Sequence, residues 1–232
     1  MGTKRAILRA SAEIFASKGF DGATIREICQ RADCNIAAIN YHFGSKDFLY
    51  RQVCEMLFSM PDAFSLLQNP GKGRRLSGDW REFLALLVRE FLEGAINGST
   101  LFRCRFQIMF REILAPSPFF PEIFEVHLRP RLAAISSFLR RILGDSINED
   151  ELNFWLFSLL SQCLYYIQNR NLVISFSGRN SFIEDNFDAI ASHISSNMIT
   201  LIEDARFAAE DQGSAAAPGA GRLRAQNKRR GG

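Results

Sequence analysis

The chain has 232 residues, of which 47% are hydrophobic and 23% are charged. This balance is typical of a folded globular protein and excludes a largely disordered chain. The sequence contains no apolar run of about 18 residues, so we expect no membrane span and no membrane partner. The charged, amphipathic start at residues 1–15 also argues against a secretory signal peptide, so we expect a cytoplasmic protein.

The formal net charge of +3 is distributed unevenly along the chain. Residues 1–60 carry 8 basic and 6 acidic side chains, residues 61–212 carry 15 and 19, and residues 213–232 carry 5 and none. The two ends are therefore suited to meet phosphate groups, whereas the middle is mildly acidic.

Apolar residues at spacings of three and four predict a first helix over residues 4–18. We expect Gly19 to end this helix as its C′ residue, with Phe20 folding back against it. The next segment, residues 24–46, reads TIREICQRADCNIAAINYHFGSK and has the pattern of a helix-turn-helix. Thr24 is a good N-cap residue for the first helix of this motif, which ends near Arg31.

The second helix of the motif is expected at residues 36–42, where Asn35 can cap the free N–H groups of the first turn. Ile39 and Phe43 lie four residues apart and can both face inward. The face that remains outside is small and nearly uncharged, which suits a helix that enters the major groove of DNA. The sequence therefore predicts a DNA-binding protein that is nucleoid-associated when bound.

A longer helix is predicted from Ser45 or the lysine after it to about Met60, where Pro61 stops it. Residues 68–79, QNPGKGRRLSGD, are rich in Gly, Pro and Arg and should form a mobile connector. The tail from Gly213 is Ala/Gly-rich and then basic, which predicts disorder. Its basic residues could add non-specific attraction to phosphate: Arg222, Arg224, Lys228, Arg229 and Arg230.

Helical patterns continue through the larger part of the chain, and we find no convincing alternating strand. Apolar stripes occupy residues 80–95 and 102–113, and Pro130 predicts a kink or a short interruption within 119–143. The last two long patterns, at 151–168 and 182–207, carry more apolar surface than one helical layer buries. We interpret them as a dimer interface that forms a four-helix bundle across a two-fold axis. The residues assigned to it are Trp155, Leu159, Ile183, Phe187, Ile190, Ile194, Met198 and Leu201. The alternative is that both helices are internal.

Residues 4 to about 58 resemble the DNA-binding domain of TetR-family transcriptional regulators. The likeness rests on ILRASAEIFASKGF, the Gly19-Phe20 turn, Thr24-Ile25, and YHFGSKDFLY at 41–50. The rest resembles the C-terminal domain of the CecR-type branch, through FREILAPSP at 110–118, HLRPRLAAI at 127–135 and QCLYYIQNRNLV at 162–173. The chain departs from the family at Asp33, where Gly is usual, and at Ile36, where a polar residue is frequent.

This resemblance implies an all-α, two-domain protomer that forms a homodimer and binds a palindromic DNA operator as a repressor. It places a helix-turn-helix domain at 1–50 (about 4–58 with the linking helix), a ligand-binding and dimerisation domain at 51–210, and the tail at 213–232. The residues expected to face bases are Ile36, Ala37, Ala38 and Asn40. Those expected to contact phosphates are Thr24, Tyr41, His42 and Lys46. Physical chemistry agrees, because an asparagine can bond adenine at two atoms and small apolar side chains can touch thymine methyl groups.

The resemblance also implies an unknown small-molecule effector that releases the operator. We expect the effector to enter a cavity in the 80–180 region and to change the separation of the two recognition helices. Candidate cavity residues are Phe102, Arg103, Phe106, Met109, Phe110, Cys163 and Tyr166, with Arg103 or Arg105 available to an acidic group. The alternative is that these residues are ordinary core.

Two other classes of function are alternatives to a DNA-binding regulator. Enzymatic catalysis is not supported, because the histidines at 42, 127 and 193 are scattered and neither a phosphate loop nor a GxSxG motif occurs. The five cysteines form no CxxC pair, so we expect buried thiols, no metal and no cofactor. A helical interaction module that has lost DNA binding remains the second alternative.

Overall fold

The computed structural model describes residues 2–64, 67 and 79–215, with side chains described up to residue 208. This part of the chain is helical and contains no strand, which confirms the all-α prediction. The elements, in chain order, are α1 (Thr3–Gly22), α2 (Ile25–Ala32), α3 (Ile36–Phe43), α4 (Lys46–Phe58), α5 (Trp80–Ile96), α6 (Thr100–Leu114), α7 (Phe120–Ile123), a π-helical segment (Phe124–Leu128), α8 (Arg129–Leu143), α9 (Glu149–Gln168), α10 (Arg170–Ser177), α11 (Phe182–Asp185) and α12 (Phe187–Ala215). We call α1–α3 the head and α5–α12 the body; α4 joins them.

The turns of the head follow from single residues. Gly19 has a φ of 73°, which interrupts α1 before its last short turn, and the Phe20 ring stacks 6.4 Å from that of Phe15. Asp33 has a φ of 51° at the end of α2. An aspartate tolerates this left-handed conformation better than most residues, so the turn forms without the usual glycine.

One hydrophobic cluster fills the space between α1, α2, α3 and α4, with Phe15, Ile28, Ile39 and Leu57 at its centre. The same cluster continues into α6, α7 and the π-helical segment through Cys104, Ile108, Phe119, Ile123 and Leu128. The head therefore shares its core with the body, and α6 packs along α1. The domain boundaries at residues 50 and 58 stay predictions.

A second cluster forms the core of the body between α5, α8, α9 and α12. The stripe expected on residues 80–95 faces this core, with Leu84, Leu87, Val88 and Leu92 buried. An exposed ion pair between Arg89 and Asp188 joins α5 to α12 at the surface.

The dimer interface predicted on residues 151–168 and 182–207 needs a correction, because most of its residues are buried inside the protomer. Leu159 on α9 is buried in the second cluster, and so are the apolar residues of α11 and α12 up to position 198. These buried residues are Ile183, Phe187, Ile190, Ile194 and Met198. α12 packs against α5, α8 and α9, so its regular apolar stripe is satisfied within one chain.

The interruption expected near Pro130 occurs just before it, as the π-helical segment Phe124–Leu128. Pro130 then lies in the first turn of α8. A proline has no N–H to donate, so the regular hydrogen-bond pattern of the helix is interrupted next to it.

The predicted connector and tail fall largely outside the described residues, which exclude 68–78 and 216–232. α12 continues to Ala215, and the disorder predicted for the tail stays a prediction. Within the described ranges, every helix is too short or too polar to cross a bilayer.

Candidate nucleic-acid interface

Side-chain caps fix the start of both helices of the helix-turn-helix. At α2, the hydroxyl of Thr24 accepts from the N–H of Glu27 at 3.3 Å, and the Glu27 carboxylate accepts from the N–H of Thr24 at 3.2 Å. Lys18 also pairs with Glu27, and this hydrogen bond is the main reason that the pKa of Glu27 is lowered. At α3, the Asn35 side chain accepts from the N–H of Ala38 at 2.8 Å, as the sequence predicts.

α3 buries Ile39 and Phe43 and leaves most of its predicted base-facing residues exposed. Ile36, Ala37 and Asn40 are exposed, whereas Ala38 is half-buried against the first cluster. The exposed face of α3 is therefore made of one amide and small or medium apolar groups. Such groups can approach base edges and thymine methyl groups closely.

The four predicted phosphate-binding residues differ in exposure. Tyr41 is 85% exposed, and its ring meets that of His42, which is half-buried, at 5.1 Å. Thr24 is exposed, although its hydroxyl already bonds within the cap. Lys46 folds back onto α1, with its ammonium 4.5 Å from the Phe20 ring centroid and 3.4 Å from the carbonyl of Asp21.

Two further cations lie next to α3, and the sequence reading missed both. Arg26 is exposed and lines an open groove with Asn35 and Ile36. Lys4 lies 5.9 Å from the Phe43 ring. The position of Arg26 could have been inferred, because the apolar spacing of α2 turns that residue outward.

Polar contacts from α6 hold both the head and α4. Arg111 donates to the carbonyl of Ala16 at 2.8 Å and to that of Ser17, next to the break in α1. Glu112 is buried and accepts from the Tyr50 hydroxyl of α4. Its other oxygen accepts from the N–H and hydroxyl of Ser117, both at 3.0 Å. The buried carboxylate therefore has partners on both oxygens, as a buried charge requires.

A second joint binds the segment after α4 to the body. Asp62 lies 3.1 Å from Arg105 of α6 and 3.0 Å from Arg131 of α8. Arg105 also donates to the carbonyl of Met60 at 3.2 Å, and Arg131 donates to that of Phe58. Burial lowers the pKa of Arg105 to about 10, so it stays charged at neutral pH. Sequence spacing gives no sign of this joint, because its charges come from three separate segments.

The predicted effector residues lie in different surroundings in the described part of the chain. Arg103 is exposed and bonds the carbonyl of Gly98 at 2.9 Å, so it points away from the core. Of the predicted set, Cys163 alone lines the narrow gap between α5, α8 and α9, which measures about 20 Å³. This is the room of about one water molecule. The remaining residues (Phe102, Phe106, Met109, Phe110 and Tyr166) pack in or against the second cluster.

Apolar side chains that the sequence reading did not single out are exposed on α9. Phe154, Phe157 and Tyr165 turn outward, and Phe154 is 67% exposed. Leu201 of α12, one of the predicted interface residues, is 50% exposed, and Trp155 is half-buried. The outward residues were overlooked because α9 is apolar on several faces, so periodicity alone did not separate its inner and outer stripes.

Comparisons with known proteins match both parts of the chain. The model of bacterial regulatory proteins of the tetR family covers residues 7–53, and that of the C-terminal domain of the HTH-type transcriptional dual regulator CecR covers residues 80–204. The chain is 22% identical to CecR of Shigella flexneri, over 86% of this chain and 91% of that protein. It is 27% identical to the probable HTH-type transcriptional regulator YttP of Bacillus subtilis (strain 168), over 55% of this chain and 58% of YttP.

Among solved structures, that of HlyIIR, a hemolysin II transcriptional regulator, has the same fold. The two chains superpose with a TM-score of 0.56 at 18% sequence identity, over 84% of this chain and 96% of HlyIIR.

Proposed function

Since the chain belongs to the TetR family of bacterial regulatory proteins, with a C-terminal domain of the CecR type, we propose that it is a homodimeric repressor that a small molecule releases from a palindromic operator. The family is one of transcriptional regulators rather than enzymes. The observation that carries the proposal is the exposed face of α3, where Ile36, Ala37 and Asn40 stand free of the head's core. The half-buried Ala38, also predicted to face bases, contributes at the edge of this face.

Asn40 reads the bases, because its amide is the polar group in the exposed part of that face. Thr24, Tyr41, His42 and Lys46 bind phosphates and set the position of α3 in the groove. For Lys46 this requires that its ammonium leave the Phe20 ring and turn toward the DNA. Arg26 adds a further phosphate contact, since it is exposed beside the start of α3.

Homodimerisation doubles the reading surface, because one α3 contacts too few base pairs to be selective. The outward residues of α9 (Phe154, Phe157 and Tyr165), together with Leu201 of α12, form the self-complementary face. This keeps the predicted pair of helices as the interface but replaces most of the predicted residues, because those are buried within the protomer.

Binding of the effector releases the operator through a displacement of α6. The gap beside Cys163 is far smaller than the roughly 300–1,000 Å³ of typical ligand pockets, so an effector has to open it. Phe91 lines the gap and meets Phe106 of α6 at 5.4 Å. Because α6 also carries Arg105 and Arg111, its displacement moves α4 and α1. The effector must bind this displaced form more tightly than the DNA-binding form, and an apolar or aromatic compound suits the lining of the gap.

Selection from a pool of random DNA duplexes with the full chain tests the proposal. We expect one enriched palindrome whose half-site centres lie about 10–10.5 base pairs, or a multiple of that, apart. Recovery of no common sequence would favour the helical interaction module instead. A thermal-shift screen of small molecules, followed by release of the selected duplex, then tests the effector.

A further inference from the structure

Two cysteines lie on either side of the left-handed residue in the helix-turn-helix. The N–H groups of Asp33 and Cys34 both donate to the carbonyl of Cys29, and the bond from Cys34 measures 3.0 Å. In this type of helix end, the side chain four residues before the left-handed position contacts the one that follows it. In this chain those two side chains are Cys29 and Cys34.

The side chains of these two residues also line one surface groove, which is open and lies between α2 and the start of α3. Cys29 is 6% exposed, whereas Cys34 is more accessible. The helix end therefore brings the two side chains to one place, and Cys34 is open to a small reagent on one side.

We propose that Cys29 and Cys34 form an oxidisable dithiol in the helix-turn-helix, and that a hydroperoxide closes it into a disulfide that weakens operator binding. This site goes beyond the proposed effector control, because it lies in the head rather than in the body. It requires no movement of α6.

The reaction balances with one hydroperoxide per pair. The sulfur of Cys34 attacks the peroxide oxygen and the O–O bond breaks, which leaves a sulfenic acid and releases water or an alcohol. The Cys29 thiol then attacks that sulfur, the S–O bond breaks, and the hydroxyl leaves as water with the thiol proton. Two thiols are oxidised by two electrons, and the peroxide is reduced.

The other three cysteines are less suited to this chemistry. Cys54, Cys104 and Cys163 are buried, and burial raises the pKa of both Cys54 and Cys163 to about 12. Since the thiolate is the nucleophile, these groups react least. Burial also raises the pKa of Cys34, so oxidation of the pair requires sustained excess hydroperoxide rather than a trace.

Closure of the disulfide displaces the start of the recognition helix. A disulfide holds its sulfurs about 2.05 Å apart, so the two thiols must move closer than any non-bonded contact allows. Asn35 directly follows Cys34 and caps α3 through the N–H of Ala38. Drawing Cys34 toward α2 therefore shifts this cap and the exposed Ile36 relative to the rest of the head.

Tryptic mapping of the full-length protein tests the bond itself, because Arg31 lies between the two cysteines. The protein is treated with hydrogen peroxide, free thiols are alkylated, and digestion follows without reduction. We expect peptides 27–31 and 32–46 to be recovered as one linked species lacking two hydrogens. Recovery of the two peptides separately, alkylated or carrying higher sulfur oxides, would overturn the proposal.

Titration of the selected DNA duplex tests the consequence. Peroxide should weaken binding by about tenfold or more, the size of losing one base contact, and dithiothreitol should restore it. Cys34→Ala and Cys29→Ala should each abolish the response, whereas the matched control Cys104→Ala should keep it. An equal peroxide response in Cys34→Ala and wild type contradicts the proposal. If the reduced protein selects no duplex, the proposed function fails, and the linked peptides still decide whether the dithiol closes.

Discussion

The sequence predicts the caps and turns of the head, but for the last two long helices of the body it does not predict what packs against each face. In the head, the caps at Thr24 and Asn35 and the turn at Asp33 form as their residues predict. In α9 and α12, helix formation is equally clear, but the apolar pattern did not identify which face meets a partner. Caps and turns depend on neighbours a few residues away, whereas a buried face depends on whatever packs against it.

The clearest test of this difference concerns charges that meet only in the folded body. Asp62→Ala leaves Arg105 and Arg131 without their shared carboxylate, and removing one partner of a buried ion pair costs about 3–5 kcal/mol of unfolding free energy. The control Asp188→Ala removes a partner from the exposed pair with Arg89 and should leave the free energy of unfolding nearly unchanged. Chemical denaturation measures both, and equal losses would show that the joint is not stabilising.

Two residues of α12, three positions apart, distinguish the core of the protomer from the proposed dimer interface. Met198 is fully buried and Leu201 is half-exposed, although the sequence pattern gives them the same role. Met198→Ala should lower the free energy of unfolding by about 2–5 kcal/mol, the usual cost of emptying a core site.

Leu201→Ala should instead weaken dimerisation, with a smaller effect on the fold of the protomer. Analytical ultracentrifugation, together with denaturation at several protein concentrations, distinguishes these effects. Dimer loss in Met198→Ala without loss of protomer stability would restore the interface first inferred from the sequence.

Replacing Asn40 and replacing Lys46 should affect DNA binding in different ways. Asn40→Ala should cost about 1–3 kcal/mol on the selected operator and little on random DNA. Lys46→Ala should weaken both sequences alike and reduce the salt slope by about 1, because it removes one phosphate contact. Fluorescence anisotropy over a range of salt concentrations measures both variants. Equal losses on operator and random DNA for Asn40→Ala would exclude a base-reading role.

The smallest expected effect is the pH dependence that His127 gives to the joint between α4 and the body. Its ring stacks on Phe58 at 5.2 Å and faces Glu55, Glu122 and Arg131; burial is the main cause of its lowered pKa. The unfolded chain therefore binds a proton at higher pH than the folded chain does. Stability from this group is present above the unfolded pKa of about 6.5 and is lost as the pH falls from there through the lower pKa of the folded chain.

Replacing His127 with glutamine isolates this contribution. The variant should lose less stability than wild type between neutral and mildly acidic pH, as followed by thermal unfolding. Parallel stability profiles in the two proteins would exclude His127 as the source.

Sequence reasoning predicted the helices and the exposed face of α3 but not the contacts between distant segments. The exposure of Ile36 and Asn40 was predictable because inward Ile39 and Phe43 fix the orientation of a short helix. The bond from Tyr50 to Glu112 had no sequence signal, since its partners are separated by 62 positions. The effector residues stay a prediction for a related reason, because an aromatic stripe has the same sequence pattern whether it lines a pocket or fills a core.

The sequence by itself determined the helices, their caps and the helix-turn-helix. Each of these depends on spacing and capping within a few residues. The tertiary structure alone decided that the stripe of α12 faces the protomer's own core and that Asp62 lies between Arg105 and Arg131. Those outcomes depend on which surfaces meet when the chain folds, and helical periodicity gives the direction of a face but not its partner.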